Sequence, residues 1–405
     1  MKDIFKEKEY TKVLLICALM AAGNLGVPNA YGLFYAPMSE IMNCGMGEVT
    51  MHMTVCLIVC AFATPLVVRK YRSIGMNRMI MIGSLMILLS GIVIGFSKNP
   101  MLNNIVAIIR GIGLSASCAV FITMVIGNWF YKAKGSITGF VMGFSGITGA
   151  LLSPVIGASL EIFGFEITYI GSIVLQILCF MPAVLWLKEK PEDANMKPYG
   201  ADDSKEDSSV KSHDYPFTMN SIVFMALALG VICLNMLPTI ASHISAYVLN
   251  IGFSVTDAAM IVSVVMVANV LFKIVIGSLC DAIGVFKTIM LVLIVCGTSV
   301  LLMSMFTGSA IMLYIIAFFY GICYSACSVS FSLYVREVYG DENYGKAMST
   351  FTMFGSISYS AVITIIGFLY DLSGSYRLPF TIIAFMAVIS VLSFITAEKT
   401  VNKKA

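Results

Sequence analysis

The chain has 405 residues, of which 59% are hydrophobic and only 12% are charged. Soluble domains carry roughly a quarter charged residues, so an ordinary soluble domain is excluded. A net charge of +3 is accounted for by the loops and gives no case for nucleic acid. Twelve apolar stretches follow one another, at 13–37, 50–68, 79–97, 101–127, 136–160, 167–187, 220–247, 256–279, 288–306, 310–335, 346–370 and 379–396. A helix crosses a bilayer with about 20 apolar residues, so each is a membrane span. The first is too long for a signal peptide, and Ser39–Glu40 follow where a small-residue cleavage site would be needed. Period-two alternation is absent, which excludes a β-barrel.

The basic residues fix an orientation. With the N-terminus inside, 21 of the 25 Lys and Arg fall on the inner side: Lys2, Lys6, Lys8 and Lys12, then Arg69, Lys70, Arg72 and Arg78, then Lys132 and Lys134, then Lys188, Lys190, Lys197, Lys205 and Lys211, and finally Lys287, Arg336, Lys346, Lys399, Lys403 and Lys404. Only Lys98 and Arg377 fall outside, so both termini are expected in the cytoplasm and the chain in the cytoplasmic (plasma) membrane as a multi-pass protein. Arg110 and Lys273 lie within spans. Ten of the 11 cysteines sit in or beside apolar spans, without a Cys-x-x-Cys pair, and read as small buried hydrophobes. No metal or cofactor is expected.

A polar segment rich in Asp, Ser and Lys at 188–218 divides the chain. It reads as a solvated, mostly disordered cytoplasmic linker between an N-terminal six-helix bundle at 1–187 and a C-terminal one at 219–405. The halves repeat at an offset near 210: Gly135 matches Gly345, Phe144 matches Phe354, Gly157 matches Gly367, Glu161 matches Asp371 and Gly164 matches Gly374. The acidic pair marks the same outer corner in each copy. The expected fold is therefore all-α, with twelve transmembrane helices in two pseudo-symmetric six-helix bundles. In the fifth span Gly139 and Gly143 form a small-xxx-small pair and predict close helix packing.

The loop after span 8, "GSLCDAIGVFK" from Gly277 to Lys287, resembles the signature of the major facilitator superfamily. The resemblance implies a latch, with Gly277 and Gly284 as its glycines and Asp281 at a neighbouring helix N-terminus, the start of span 11 at Gly345–Lys346. The matching first-half loop keeps Gly75 but has Arg72 where the aspartate belongs. "RGIG" at Arg110–Gly113 resembles the span-4 arginine motif of the same superfamily. Three stretches, Tyr31 to Val49, Asn128 to Gly157 and Ala268 to Gly284, resemble the monocarboxylate and oxalate–formate branch. That resemblance implies a transporter that binds a carboxylate at the position of Lys273, usually filled by arginine. Asn29 and Asn269 stand where the animal carriers of the branch have a first-helix lysine and an eighth-helix aspartate.

A charge at the bilayer centre costs at least about 3 kcal/mol. Arg110 lies about nine residues, roughly 13 Å, inside the outer end of span 4, with its side chain leaning toward that face, and is expected to snorkel outward, either as part of the site or as a packing device. Lys273 leans away from its nearest interface, with Asn269 one turn before it and no acid within a turn. It predicts a substrate-anion site, against the alternative of a lysine bonded to backbone carbonyls. Tyr31 and Tyr35 in span 1 and Tyr320 and Tyr324 in span 10 are each one turn apart and suit the wall of a cavity, or ordinary packing. Oxalate-handling members have a second basic residue in span 11, and Ala347 to Tyr370 holds no charge. One cation suits one carboxylate, so a monocarboxylate of the lactate, pyruvate or formate type is favoured over a dicarboxylate, drug efflux or another solute. His52 and His243 sit near outer helix ends. A proton or a counter-anion remains open as the coupled partner. A monomer in the lipid bilayer is expected. No catalytic motif is present, and an enzyme is not expected.

Overall fold

The computed structural model describes residues 7–131, 134–200, 215–306 and 308–403. Lys2, Lys6, Lys132, Lys205, Lys211, Lys404 and the 201–214 part of the expected linker lie outside the described residues. Among those described, eleven helical runs are long and apolar enough to cross a membrane, and one of them is a pair. They are α1 Lys8–Met42, α2 Met46–Tyr71, α3 Met76–Phe96, α4 Pro100–Trp129, the pair within Ser136–Trp186, α7 Ile222–Asn250, α8 Val255–Ile283, α9 Val285–Ser304, α10 Ala310–Gly340, α11 Glu342–Ser373 and α12 Arg377–Asn402. The pair is α5 (136–163) and α6 (165–186), parted at Gly164 with φ of 76°. Its repeat partner Gly374 also has positive φ, 67°, so both copies use glycine where an L side chain would be strained. Each expected span is found, and each helix runs past its expected bounds at one or both ends. Polar residues at the boundary keep the backbone hydrogen bonds that lipid demands, so the helix does not stop where the apolar stretch stops.

Caps set several starts. Asn99 Oδ1 accepts from Met101 N at 2.9 Å before Pro100 opens α4. Ser254 and Asp257 form a capping box at α8, and Ser221 Oγ accepts from Phe224 N at 3.1 Å at α7. Contacts divide the chain into two compact units, the first of Met1–Met42 and Val55–Ser208, the second of Asn43–Thr54 and Ser209–Ala405. The division falls within α2, between Thr54 and Val55.

The first part of the expected linker is fastened to the first unit by hydrogen bonds, although Lys190, Glu192, Asp193, Asn195 and Lys197 are exposed. Trp129 Nε1 donates to Lys188 O at 2.9 Å, Tyr71 Oη to Glu189 Oε1 at 3.2 Å and Tyr10 Oη to Lys197 O at 2.8 Å. Tyr199 N donates to Trp129 O at 2.8 Å, and the rings of Tyr10, Trp129, Phe130 and Tyr199 cluster. Aromatic side chains and paired backbone groups outweigh the polar composition there. The expectation for Gly139 and Gly143 also fails: a Cβ placed on either would meet nothing within 4 Å. The close approaches lie elsewhere, at Gly26 against Thr148 and Gly111 against α2.

Candidate functional site

In the first unit the site is built around Arg110. It stands on the buried face of α4 with Asn103, Ala107 and Leu114, and is itself only 2% exposed. Its Nη1 donates to Tyr169 Oη at 2.6 Å. The guanidinium carbon lies 5.0 Å from the Tyr31 ring centroid and 6.0 Å from that of Tyr169. Tyr31 Oη donates to Gln176 Oε1 at 3.1 Å, and Gln176 Nε2 donates to Gly23 O at 2.8 Å. That carbonyl belongs to a π turn at Ala22–Gly26, where α1 departs from regular geometry ahead of a 3-10 segment at Pro28–Phe34. The amide thus satisfies a backbone group at an irregular point. Arg110 Nη2 is buried without a hydrogen-bond partner. The expected snorkelling is therefore corrected. A charge-assisted bond to a tyrosine and two ring faces hold the guanidinium inside the protein.

In the second unit Lys273 lies on α8, half-buried. It shares a helix face with Val262, Met266, Asn269, Ile276 and Cys280, all buried, and lies across the helix from Leu271 and Val275, which are exposed. Among the described residues its ammonium has no hydrogen bond or ion pair. Asn269 is buried one turn away, with Oδ1 unpartnered, and its backbone carbonyl accepts from Ser325 Oγ at 3.2 Å. A Cβ on Gly321 would stand 2.6 Å from Val265 O, so α10 presses directly on α8 above Lys273.

The tyrosines separate into different jobs. Tyr320 is fully buried; its hydroxyl donates to Leu237 O at 2.9 Å and accepts from Ala241 N at 2.9 Å. Those groups belong to the 3-10 segment Leu237–His243 that Pro238 opens in α7. Tyr320 therefore mends the backbone and does not line a cavity. Tyr324 is half-buried one turn on. Tyr31 joins the Arg110 cluster, and Tyr35 is buried beside it in the chain. Asn29 Nδ2 donates to Ser145 O at 3.3 Å and fastens α1 to α5. His52 Nδ1 and His243 Nε2 both meet backbone carbonyls, of Val49 and Ile363.

The latch differs from expectation. Asp281 is exposed and makes no hydrogen bond or ion pair among the described residues. Gly277 would meet nothing within 4 Å, so it permits no close approach, and Gly284 serves instead as the positive-φ stop of α8, at 90°. No helix starts at Gly345–Lys346, because α11 is already running from Glu342. The contact of a carboxylate with a helix start is made by Asp371, whose two oxygens accept from Met46 N at 2.7 Å and Gly47 N at 2.8 Å, within the second unit. There the backbones touch: a Cβ on Gly367 would lie 2.7 Å from Gly47 Cα.

Tyr169 and Gln176 were missed. Their signal was a lone amide in an otherwise apolar span, with a tyrosine seven residues before it on the same face. A polar group in lipid needs a partner. Among the described residues no group of His, Cys, Asp and Glu is arranged to hold a metal.

A model described as Major Facilitator Superfamily matches residues 218–405. The crystal structure of the nucleoside transporter NupG matches with a TM-score of 0.73 at 13% identity, over 96% of this chain and 98% of that one. A mutant of the same transporter matches with 0.71 at 13%, over 95% and 98%. The fold is the major-facilitator fold. At that identity the likeness carries the fold and not the solute. No curated protein matches the chain by sequence. The family match and the fold together support a transporter, not an enzyme; neither supports the monocarboxylate branch over others.

Proposed function

We propose that the chain is a secondary transporter of a small organic anion, a monocarboxylate of the lactate, pyruvate or formate class, working by alternating access. One observation carries this reading: Lys273 is a half-buried ammonium within a span, on the face of α8 that packs against protein, with no ion pair or hydrogen bond among the described residues. A cation at that depth is costly unless paired, and an anionic solute supplies the pair. Asn269 Oδ1, an orphaned acceptor one turn away, gives a hydroxyl-bearing acid such as lactate a second contact. Arg110 is also cationic, but its guanidinium is buried and engaged by Tyr169, so it acts as a positioning group for α1, α4 and α6. Of the two intramembrane cations, Arg110 and Lys273, Lys273 alone lacks a partner among the described residues, and one such cation favours one carboxylate over two. An uncharged nucleoside, the solute named for the structural relatives, would leave Lys273 unpaired. The test is uptake of radiolabelled lactate, pyruvate, formate, oxalate and uridine into proteoliposomes, with and without counter-loaded anion or a pH gradient. Saturable uptake of a monocarboxylate supports the reading; uptake of uridine alone overturns it while leaving the fold intact.

A further inference from the structure

We infer that the first unit carries a site for one anionic phospholipid, in the groove between the start of α1 and the end of α6. The groove is open, has a volume of about 490 Å³ and is lined by Lys8, Thr11, Lys12, Leu15, Leu19 and Trp186. Its apolar part is uncovered: Leu15 is 49% and Trp186 56% exposed. Lys8 and Lys12 are one turn apart and precede the buried apolar run of α1, which opens at Val13. They therefore stand at the membrane–water boundary, with Leu15 and Leu19 one and two turns deeper.

Charge decides the occupant. Neither lysine has a hydrogen bond or ion pair among the described residues. The acid between them in sequence, Glu9, is engaged by Lys188 Nζ at 3.5 Å. Glu7 is exposed, and its backbone carbonyl accepts from Thr11 Oγ1 at 3.1 Å. Two ammonium groups, neither of them ion-paired among the described residues, beside an apolar slot match a phosphate with an acyl chain below it. A zwitterionic headgroup brings a cation of its own to the same place. Tyr10 turns away from this groove to hold Lys197 and the aromatic cluster. The lipid thus grips one side of α1 and the 188–200 segment the other.

Delipidated full-length protein in detergent, titrated with phosphatidylglycerol and phosphatidylcholine and read by native mass spectrometry, tests the site. One phosphatidylglycerol is expected to bind tightly and phosphatidylcholine only weakly. K8Q/K12Q is expected to weaken phosphatidylglycerol by roughly thirtyfold, from about 1 kcal/mol for each of the two lysines at tenfold per 1.4 kcal/mol. Leu19→Trp, which fills the slot, is expected to weaken it while sparing both lysines. Excess inorganic phosphate is expected to leave the adduct in place. Equal binding of the two lipids, an adduct indifferent to K8Q/K12Q, or displacement by phosphate alone would each overturn the proposal. A thermal midpoint in phosphatidylcholine confirms that each variant is folded before it is titrated.

Discussion

Arg110 and Tyr320 occupy the same place in the two repeats, 210 positions apart, and do opposite things. Each is followed by a glycine at which the helix touches its neighbour's backbone: a Cβ on Gly111 would lie 2.5 Å from Cys56 O, and one on Gly321 2.6 Å from Val265 O. Each unit also has an irregular first helix with a proline, Pro28 or Pro238, again 210 apart. The second unit mends that irregularity with the Tyr320 hydroxyl. The first mends it with Gln176, two helices further on, and its α4 position is released to hold a cation. The second unit places its cation on α8 instead, at Lys273. The repeat therefore conserves where helices must touch and lets charge move. Shared geometry is a constraint of packing; the unshared cations are where function departs from it.

The largest expected effects test the shared part. Gly111→Leu and Gly321→Leu each force a side chain into a backbone and should cost about 3 kcal/mol or more, seen as loss of monodisperse protein on size exclusion. If only one of the pair is damaging, the two close approaches are not equivalent. Tyr320→Phe strips a donor from Leu237 O and an acceptor from Ala241 N. A loss of about 2–3 kcal/mol in thermal unfolding is expected, within the range for orphaned buried polar groups. Tyr169→Phe removes the hydroxyl that accepts from Arg110, for about 2 kcal/mol, the value of a hydrogen bond to a charged group. Should Tyr169→Phe be silent, the first-unit cation is held by ring faces alone.

The smallest effect lies at the join between α1 and α2. Burial, helped by the negative charges of Glu48 and Asp371, pushes the Cys44 thiol up to about 11. The thiolate is the reactive form, so alkylation of Cys44 should be slow at pH 7 and rise with pH toward 11. Asp371→Asn removes one of those charges and should speed the reaction at fixed pH. A rate that levels off near pH 8 would contradict the assigned environment.

The sequence made the spans, the repeat and both buried cations legible, because lipid forces apolar length and makes an intramembrane charge conspicuous. It did not reveal what those charges touch. Arg110 meets Tyr169, 59 residues on, through packing that no local spacing encodes. The latch failed for the same reason. Asp281 has the spacing of a helix-start ligand, yet Asp371 is the residue that finds a helix start, because tertiary packing decides which N–H groups are near. Gly139 and Gly143 have the spacing of a helix interface and lack a neighbour within reach. Polar composition misread residues 188–200, where Tyr199 and the Lys197 carbonyl fasten the segment.

The most direct test is carboxylate uptake by Lys273→Gln beside Lys273→Arg and the unaltered protein, in proteoliposomes at matched protein density. Removing one partner of a buried charge pair costs about 2–5 kcal/mol, so Lys273→Gln should lose uptake by at least about thirtyfold, and Lys273→Arg should retain part of it. Uptake unchanged in Lys273→Gln would contradict the account.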